Sequence, residues 1–130
     1  MLFKLVRLII FVFCLNISLS HAEDWPSLLR MSQAIVCDEI EQAREILDMY
    51  QSEGAESAAK VFARLVKEKN NDGDSKCVLT PGVYIMIKEE DRLVITDSKG
   101  DYLGFVLQVY DPRLKAILYL FVTKRLNDAS

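Results

Sequence analysis

Two cysteines, Cys37 and Cys77, stand at the two ends of a helical stretch and constrain the fold of this 130-residue chain more than any other feature. The third cysteine, Cys14, lies in an N-terminal segment that has the pattern of an export signal. Once that segment is removed, an even number of cysteines remains, and in an oxidising compartment this predicts one disulfide bond. Such a bond would hold the start of the helical part against the start of the strand-rich part.

The alternative is a reactive thiol at Cys37, since cysteines near helix N-termini are often nucleophilic. The sequence contains no C-x-x-C motif, and the acidic residues Asp38 and Glu39 follow Cys37 directly, which disfavours a thiolate. The pattern therefore favours a structural disulfide.

The first 22 residues have the three parts of a signal peptide. Lys4 and Arg7 form the basic part, residues 8–19 form the apolar part, and Ser20 and Ala22 supply the small residues before the cleavage site. We predict cleavage after Ala22 and export to the periplasm or the extracellular space. An uncleaved anchor is the alternative, but the apolar part is shorter than the roughly 20 residues of a spanning helix.

Removal of this segment changes the charge and the chemistry of the chain. The formal net charge goes from −3 to −5, because Lys4 and Arg7 leave with a segment that has no acidic residue. An acidic domain disfavours nucleic acid, which requires a basic surface. The only histidine, His21, leaves as well, which excludes histidine-dependent triads and histidine zinc sites. We therefore predict no enzymatic activity, no metal and no cofactor.

Two helices are predicted between the cysteines. Apolar residues at helical spacing predict the first over residues 39–51, with Asp38 and Glu41 as a capping box and Gly54 as the break. On its exposed side, Arg44 is expected to pair with acidic residues of the same helix. A second amphipathic helix of about four turns follows Gly54, so the pair should form a helical hairpin.

After Cys77 the chain changes to β-branched and aromatic runs separated by turn residues. Short connections permit only antiparallel neighbours, so these runs predict a four-stranded meander. The first tight turn is placed at residues 89–91 and the last at residues 111–113. The predicted strands cover residues 83–88, 93–96, 102–110 and 115–124.

The predicted fold class is therefore α+β: an N-terminal helical hairpin packed on a four-stranded antiparallel β-meander, preceded by a cleaved signal peptide. Residues 1–22 are the signal peptide, residues 23–36 are a lead-in segment with a short helical turn, and residues 37–130 form a single domain.

Both faces of the predicted sheet carry apolar side chains, and two helices can cover only one face. The second face would be closed by the lead-in segment, by curvature of the sheet, or by another molecule. The large apolar residues of the strands are the candidates for an interaction face: Tyr84, Met86, Tyr102, Val106, Tyr110, Tyr119 and Phe121.

The stretch VCDEIEQA and the second cysteine in SKCVLTPGVYIMIK, with a strand-rich tail behind them, resemble a group of small exported bacterial two-cysteine α+β proteins of unknown function. In that group Cys-Asp and a following Glu-Gln open the domain, and Cys37, Asp38, Glu41 and Gln42 occupy those places here. The resemblance covers about residues 35–124. It implies an architecture and no activity.

The sequence favours a non-enzymatic exported domain that acts by contact with another protein or by self-association. The alternative is a carrier of a small apolar ligand held between helices and sheet. A third hypothesis, catalysis by carboxylates, requires a cleft that holds a tuned acid. Neither the acidic side of the first helix nor residues 89–91 predicts such a cleft.

Overall fold

A computed structural model describes residues 25–126, so the predicted signal peptide and Cys14 lie outside the described residues. Two helices and a four-stranded antiparallel sheet confirm the α+β class. Within residues 25–126, neither helix has the length and apolar content that crossing a membrane requires. The elements are β1 (Leu28–Cys37), α1 (Ile40–Glu53), α2 (Ala55–Lys67), β2 (Cys77–Asp97), β3 (Gly100–Asp111) and β4 (Ala116–Arg125).

Strand β1 occupies the segment for which the sequence predicts a short helical turn, so that prediction is wrong. Its buried residues alternate in two separate runs, with Leu29 in the first run and Ala34 and Val36 in the second. A bulge between Met31 and Ala34 separates the runs and shifts the alternation by one residue. Alternation with a period of two is the main sequence signal of a strand, and the bulge hides it here.

Strand β2 is one strand of 21 residues, whereas the sequence predicts two strands joined by a turn at residues 89–91. The pairing with β3 shifts register between Met86 and Lys88, and again between Glu89 and Asp91. The predicted turn is therefore a bulged segment that bends the strand without reversing the chain.

The acidic residues of this bulged segment contact other parts of the fold. Glu89 accepts a hydrogen bond from Nε1 of Trp25 at 3.0 Å. Asp91 forms an ion pair with Arg44 of α1, and this hydrogen-bonded contact raises the pKa of Arg44 above its ordinary value. Arg44 thus ties α1 to the sheet, which corrects the expectation that it pairs with acidic residues of its own helix.

The four strands form a closed antiparallel sheet in the order β1, β2, β3, β4. Closure comes from β1, which pairs with β2 along most of its length. The last three residues of β1, 35–37, also pair with residues 119–121 of β4. The segment that the sequence assigns to a lead-in is therefore the strand that closes the sheet.

Closure divides the apolar side chains between two cores. The outer core lies between the outer surface of the sheet and the helices, and its largest members include Ile46, Leu47, Leu65, Ile95, Val106 and Phe121. Trp25 packs edge-to-face on Phe105 of the inner core, with ring centroids 5.0 Å apart. The inner core lies inside the closed sheet and contains Leu29, Ala34, Val36, Tyr84, Phe105, Leu107, Val109, Leu118 and Leu120.

The two ends of helix α1 are set by local hydrogen bonds. The N-cap is Glu39, one residue later than predicted, and its backbone N–H donates to Oε1 of Gln42 at 3.1 Å. Asp38, the predicted cap, accepts a hydrogen bond from Nδ2 of Asn70 instead. Gly54 is the single residue between α1 and α2, and its φ of +103° lies in a region that favours glycine. The predicted break at Gly54 is confirmed.

Cys37 and Cys77 form a disulfide bond, which confirms the predicted pairing. The two residues lie opposite each other on β1 and β2, and each is only 1% exposed. In the sequence, β1 precedes the helical hairpin and β2 follows it. The bond therefore joins two strands that are neighbours in the sheet. It therefore fixes the point at which β1 meets both β2 and β4.

Loss of the disulfide should lower the stability of the domain. The bond joins residues 40 positions apart, and the chain-entropy estimate for closing such a loop is about 4 kcal/mol. We expect the Cys37→Ser/Cys77→Ser variant to lose roughly this much free energy of unfolding, measured by urea denaturation. Chemical reduction of the unmodified chain is the matched control and should give a similar loss. A variant as stable as the oxidised chain would contradict the prediction.

Gly104→Ala should destabilise the contact between β3 and α1. A Cβ atom at Gly104 would lie 2.6 Å from Cδ1 of Leu47 and 2.8 Å from Cδ1 of Ile95. We expect thermal denaturation to show a loss of about 1–3 kcal/mol, as in other overpacked cores. In the Gly104→Ala/Leu47→Ala double variant the loss should be smaller than the sum of the single losses, because the shorter side chain makes room. If the loss in the double variant equals the sum of the two single losses, the proposed contact between residue 104 and Leu47 is refuted.

Candidate interaction surface and end cavity

Three of the residues predicted to form an interaction face are buried. Tyr84 and Val106 are 0% exposed, and Phe121 is 7% exposed. Tyr84 belongs to the inner core, whereas Val106 and Phe121 belong to the outer core under the helices. These side chains hold the fold together and are not accessible to another protein, so the predicted face does not exist as one exposed surface.

The other four residues of that prediction occupy three environments. Tyr102 and Tyr119 pack against the outer core, and Met86 packs against the inner core. Tyr110, by contrast, is half-buried on the outer surface of the sheet, away from both cores. Of the seven predicted residues, Tyr110 is therefore the one that belongs to the exposed surface described next.

An apolar strip crosses the outer surface of the sheet. Leu28 of β1 pairs with Ile85 of β2. Ile85 pairs in turn with Tyr110 of β3, and Tyr110 pairs with Ile117 of β4. Directly paired residues lie on the same face, so these four side chains form one continuous strip, which we name the outer row. Leu28, Ile85 and Ile117 are 42%, 41% and 51% exposed.

Basic side chains flank the outer row. Arg30 follows Leu28 by two residues on β1 and pairs with Val83 of β2. Lys115 immediately precedes β4 and is exposed. The outer row itself contains no acidic residue, although the chain has a formal net charge of −3. The strip therefore combines apolar side chains with a basic flank.

A cavity of about 500 Å³, which we name the end cavity, opens at one end of the closed sheet. Val36, Tyr84 and Leu118 of the inner core form part of its wall. Lys69 and residues 73–75, which lead from α2 to β2, form another part. The β3–β4 turn, Asp38 and residues 78 and 80 of β2 also line it, so the cavity has an apolar wall and a charged rim.

Asp111, at the end of β3, is a buried carboxylate in the lining of the end cavity, with 1% exposure. Its Oδ1 accepts hydrogen bonds from the backbone N–H groups of Arg113 at 2.8 Å and Leu114 at 3.4 Å. Its Oδ2 lies 3.3 Å from the guanidinium of Arg113. These bonds offset the cost of burying the charge. The sequence predicts the turn at residues 111–113, but it does not show that its first carboxylate faces inward.

The phenol of Tyr84 lies beside this carboxylate. Among the buried side-chain polar atoms of residues 25–126, its hydroxyl has no hydrogen-bond partner within that range. A Cβ atom at Gly82 would overlap with this hydroxyl, so a larger residue at position 82 would have to displace the tyrosine ring. Burial raises the pKa of Tyr84 and the charge of Asp111 raises it further, whereas Arg113 lowers it. Tyr84 therefore stays uncharged at neutral pH.

A small cleft between α1 and β2 bears on the alternative function, a carrier of an apolar ligand. Its volume is about 210 Å³. Most of its side chains are charged, which does not suit an apolar ligand. The lining consists of Arg44, Leu47, Asp48, Asp91, Arg92 and Leu93.

Within the part of the chain that the structure describes, no group of three or more Asp, Glu, Cys or His residues is placed to hold a metal ion. Comparisons with models of protein families, with curated proteins and with solved structures found no match.

Tyr84→Phe should change the pH dependence of stability in the alkaline range. The pKa of Tyr84 is raised in the folded chain. Below the pKa of an unfolded tyrosine, about 10, the side chain is protonated in both states, so its ionisation does not reduce the free energy of unfolding. Above that value the unfolded chain ionises first, and stability falls as pH rises towards the folded pKa. The variant should lose less stability in that range, measured by urea denaturation at a series of pH values.

At neutral pH the same variant should gain about 1 kcal/mol, because it removes a buried hydroxyl without a partner. Tyr50→Phe is the matched comparison, since burial also raises the pKa of Tyr50 but that side chain is half-buried. Identical pH profiles for Tyr84→Phe and the unmodified chain would show that Tyr84 ionises in the folded state as it does in the unfolded state.

Proposed function

We propose that this chain is exported, is stabilised outside the cytoplasm by its disulfide bond, and acts by binding another protein without catalysing a reaction. The Cys37–Cys77 bond supports export, because such bonds form and persist in oxidising compartments. The signal-peptide pattern of the first 22 residues supports it as well. So does the resemblance to small exported bacterial two-cysteine proteins. The mature chain would then be periplasmic or secreted.

The outer row is the observation that carries the proposed contact. Each of the four strands contributes one side chain, and the hydrogen bonds of the closed sheet fix their spacing, so the strip is presented on a rigid support. Contiguous apolar patches on the surface of a protein, bordered by polar residues, often mark sites of contact with another protein. A partner that lays an apolar surface across the strands would cover all four side chains at once.

The size of the apolar contribution indicates what else the contact requires. Full burial of one aliphatic side chain contributes about 1.5–3 kcal/mol. Leu28, Ile85 and Ile117 are each about half exposed, so covering the three contributes on the order of 2–4 kcal/mol. A micromolar complex needs about 8 kcal/mol. Polar and charged contacts around the outer row must therefore supply much of the affinity and the specificity.

The charges beside the outer row favour a different protein over a second copy of this chain. In a symmetric pair with the outer rows face to face, Arg30 and Lys115 of both copies would come close together, and like charges across an interface cost free energy. A surface with apolar side chains and a rim of Asp or Glu would complement the same residues. We therefore propose an acidic protein partner, with self-association as the alternative.

The non-catalytic part of the proposal rests on the chemistry of the mature chain. It would contain no histidine, because His21 lies within the predicted signal peptide. The two titratable groups with unusual surroundings, Tyr84 and Asp111, are 0% and 1% exposed. Both line the end cavity, but Asp111 is held by hydrogen bonds from the backbone of Arg113 and Leu114. Tyr84 is uncharged at neutral pH, and these two features support a non-catalytic role.

Photo-crosslinking from the outer row tests the proposed contact in the cell. A photoreactive amino acid at Ile117 should give a discrete adduct with another protein. The same amino acid at Lys60, an exposed residue of α2, should give none. Arg30→Glu should reduce the adduct from Ile117, because it replaces a basic flank by an acidic one. The purified mature chain should sediment as a monomer at micromolar concentration.

The controls separate a specific contact from misfolding and from self-association. Each labelled protein should keep the thermal unfolding midpoint of the unmodified chain, since the substituted side chains are exposed. Equal adducts from Ile117 and Lys60, or an adduct from Ile117 that Arg30→Glu leaves unchanged, would contradict the proposal. An adduct of twice the mass of the chain, with a dimer in sedimentation, would assign the outer row to self-association.

A further inference from the structure

A groove of about 730 Å³ lies beside the outer row and is distinct from the end cavity. Its sides come from residues 30–32 of β1 and from residues 112 and 113 of the β3–β4 turn, and between them lie residues 81–83 of β2. Two features of the strands open this space. β1 bulges between Met31 and Ala34, and the pairing of β2 with β3 begins only at Ile85.

Two arginines line this groove, and no acidic residue lines it. Arg30 takes part in none of the ion pairs found within residues 25–126, and its side chain is exposed. Arg113 has an exposed side chain, and its contact with Asp111 is made by one terminal nitrogen at 3.3 Å. A guanidinium carries five N–H donors, so most donors of Arg113 are left for another acceptor.

The rest of the groove is mainly apolar. Met31, Val83 and the rings of Pro81 and Pro112 line it, and Ser32 adds one hydroxyl. The groove is largely open to solvent, so a ligand would lie along it partly exposed, with the apolar wall covering one side and the few polar groups fixing its orientation. A matching ligand therefore has an apolar body and one anionic group.

We propose that this groove, which we name the arginine groove, binds a small amphiphilic anion. The carboxylate or phosphate head group lies between Arg30 and Arg113, and the apolar chain lies along Met31, Val83 and the two prolines. Arginine binds both head groups through paired N–H donors, and such charge-assisted bonds are about twice as strong as neutral ones. This site shares Arg30 with the proposed protein contact, but it requires neither a partner chain nor the apolar side chains of the outer row.

Three probes with the same eight-carbon chain test the proposal: octanoate, octyl phosphate and octan-1-ol. Each is titrated into the ¹⁵N-labelled mature chain with its disulfide intact, and binding is followed by the backbone amide shifts of residues 30–32 and 82–83. At least one of the two anions should bind about tenfold to a hundredfold more tightly than the alcohol, because each of the two guanidinium groups contributes about one charge-assisted hydrogen bond, roughly a factor of ten. The anion that binds more tightly identifies the head group.

Variants assign the binding to the two guanidinium groups. Arg30→Gln should weaken binding of the preferred anion about tenfold and leave the alcohol unaffected. Arg113→Gln should do the same, but it also removes a partner of Asp111, so Arg30→Gln is the decisive variant. Lys60→Gln on α2 is the control with the same change of charge, and it should have no effect.

Several results would overturn the proposal. One is an alcohol that binds as tightly as both anions, since charge would then play no part. Another is an equal loss with Lys60→Gln and Arg30→Gln, which would indicate a general effect of net charge. Shifts confined to residues outside the groove, or no binding of either anion at millimolar concentration, would also exclude the site. None of these results bears on photo-crosslinking from Ile117, so the two proposals can fail separately.

Discussion

The structure depends on the pairing of residues 35–37 with both β2 and β4. Without this pairing, the apolar residues that face inward would lie on one side of an open sheet, exposed to water. With it, curvature encloses them as the inner core, and the two helices need to cover only the outer surface. The Cys37–Cys77 bond lies at the same place and restrains the chain where β1 joins its two neighbours. Hydrogen bonding and covalent linkage thus act on one short segment.

The parts of the fold that the sequence predicts well are those with strong local signals. Helix α1, Gly54 and strands β3 and β4 lie within a few residues of their predicted positions, because their hydrophobic periodicity is uninterrupted. The disulfide follows from the cysteine count and from the predicted export signal. In these regions local preference and tertiary packing agree.

The parts that the sequence predicts poorly are those where a bulge breaks the alternation. In β1 the bulge after Met31 moves the buried positions from odd to even residues, so neither run is long enough to indicate a strand. In β2 three consecutive acidic residues resemble a turn, but Glu89 and Asp91 are held by Trp25 and Arg44 from distant parts of the chain. Contacts between residues distant in the sequence decide both cases, and a local pattern does not contain them.

The candidate surfaces show the same limit. Alternation predicts which side chains share a face of a strand, but it does not predict which face lies inside a closed sheet. Tyr84 and Val106 are thus buried on opposite faces of the sheet. The exposed outer row consists of residues that are next to buried ones in the sequence. The basic character of the arginine groove is likewise invisible in the sequence, because Arg30 and Arg113 are far apart in the chain and line one groove only when the sheet forms.

The β3–β4 turn connects the features that carry the functional proposals. Arg113 lines both the arginine groove and the end cavity, and the buried carboxylate of Asp111 holds its backbone and its guanidinium. Lys115, two residues further along, flanks the outer row. A buried carboxylate is costly to retain without a role, and here it orients a cation at the boundary between two recesses.

The closing contact also determines when the fold can be completed. Residues 35–37 and their partners in β4 are separated in the sequence by both helices and by strands β2 and β3. The sheet therefore cannot close until β4 is in place. A folding chain in which β4 is not yet paired leaves the apolar side chains of the inner core open to water, so enclosure of that core and closure of the sheet are the same event.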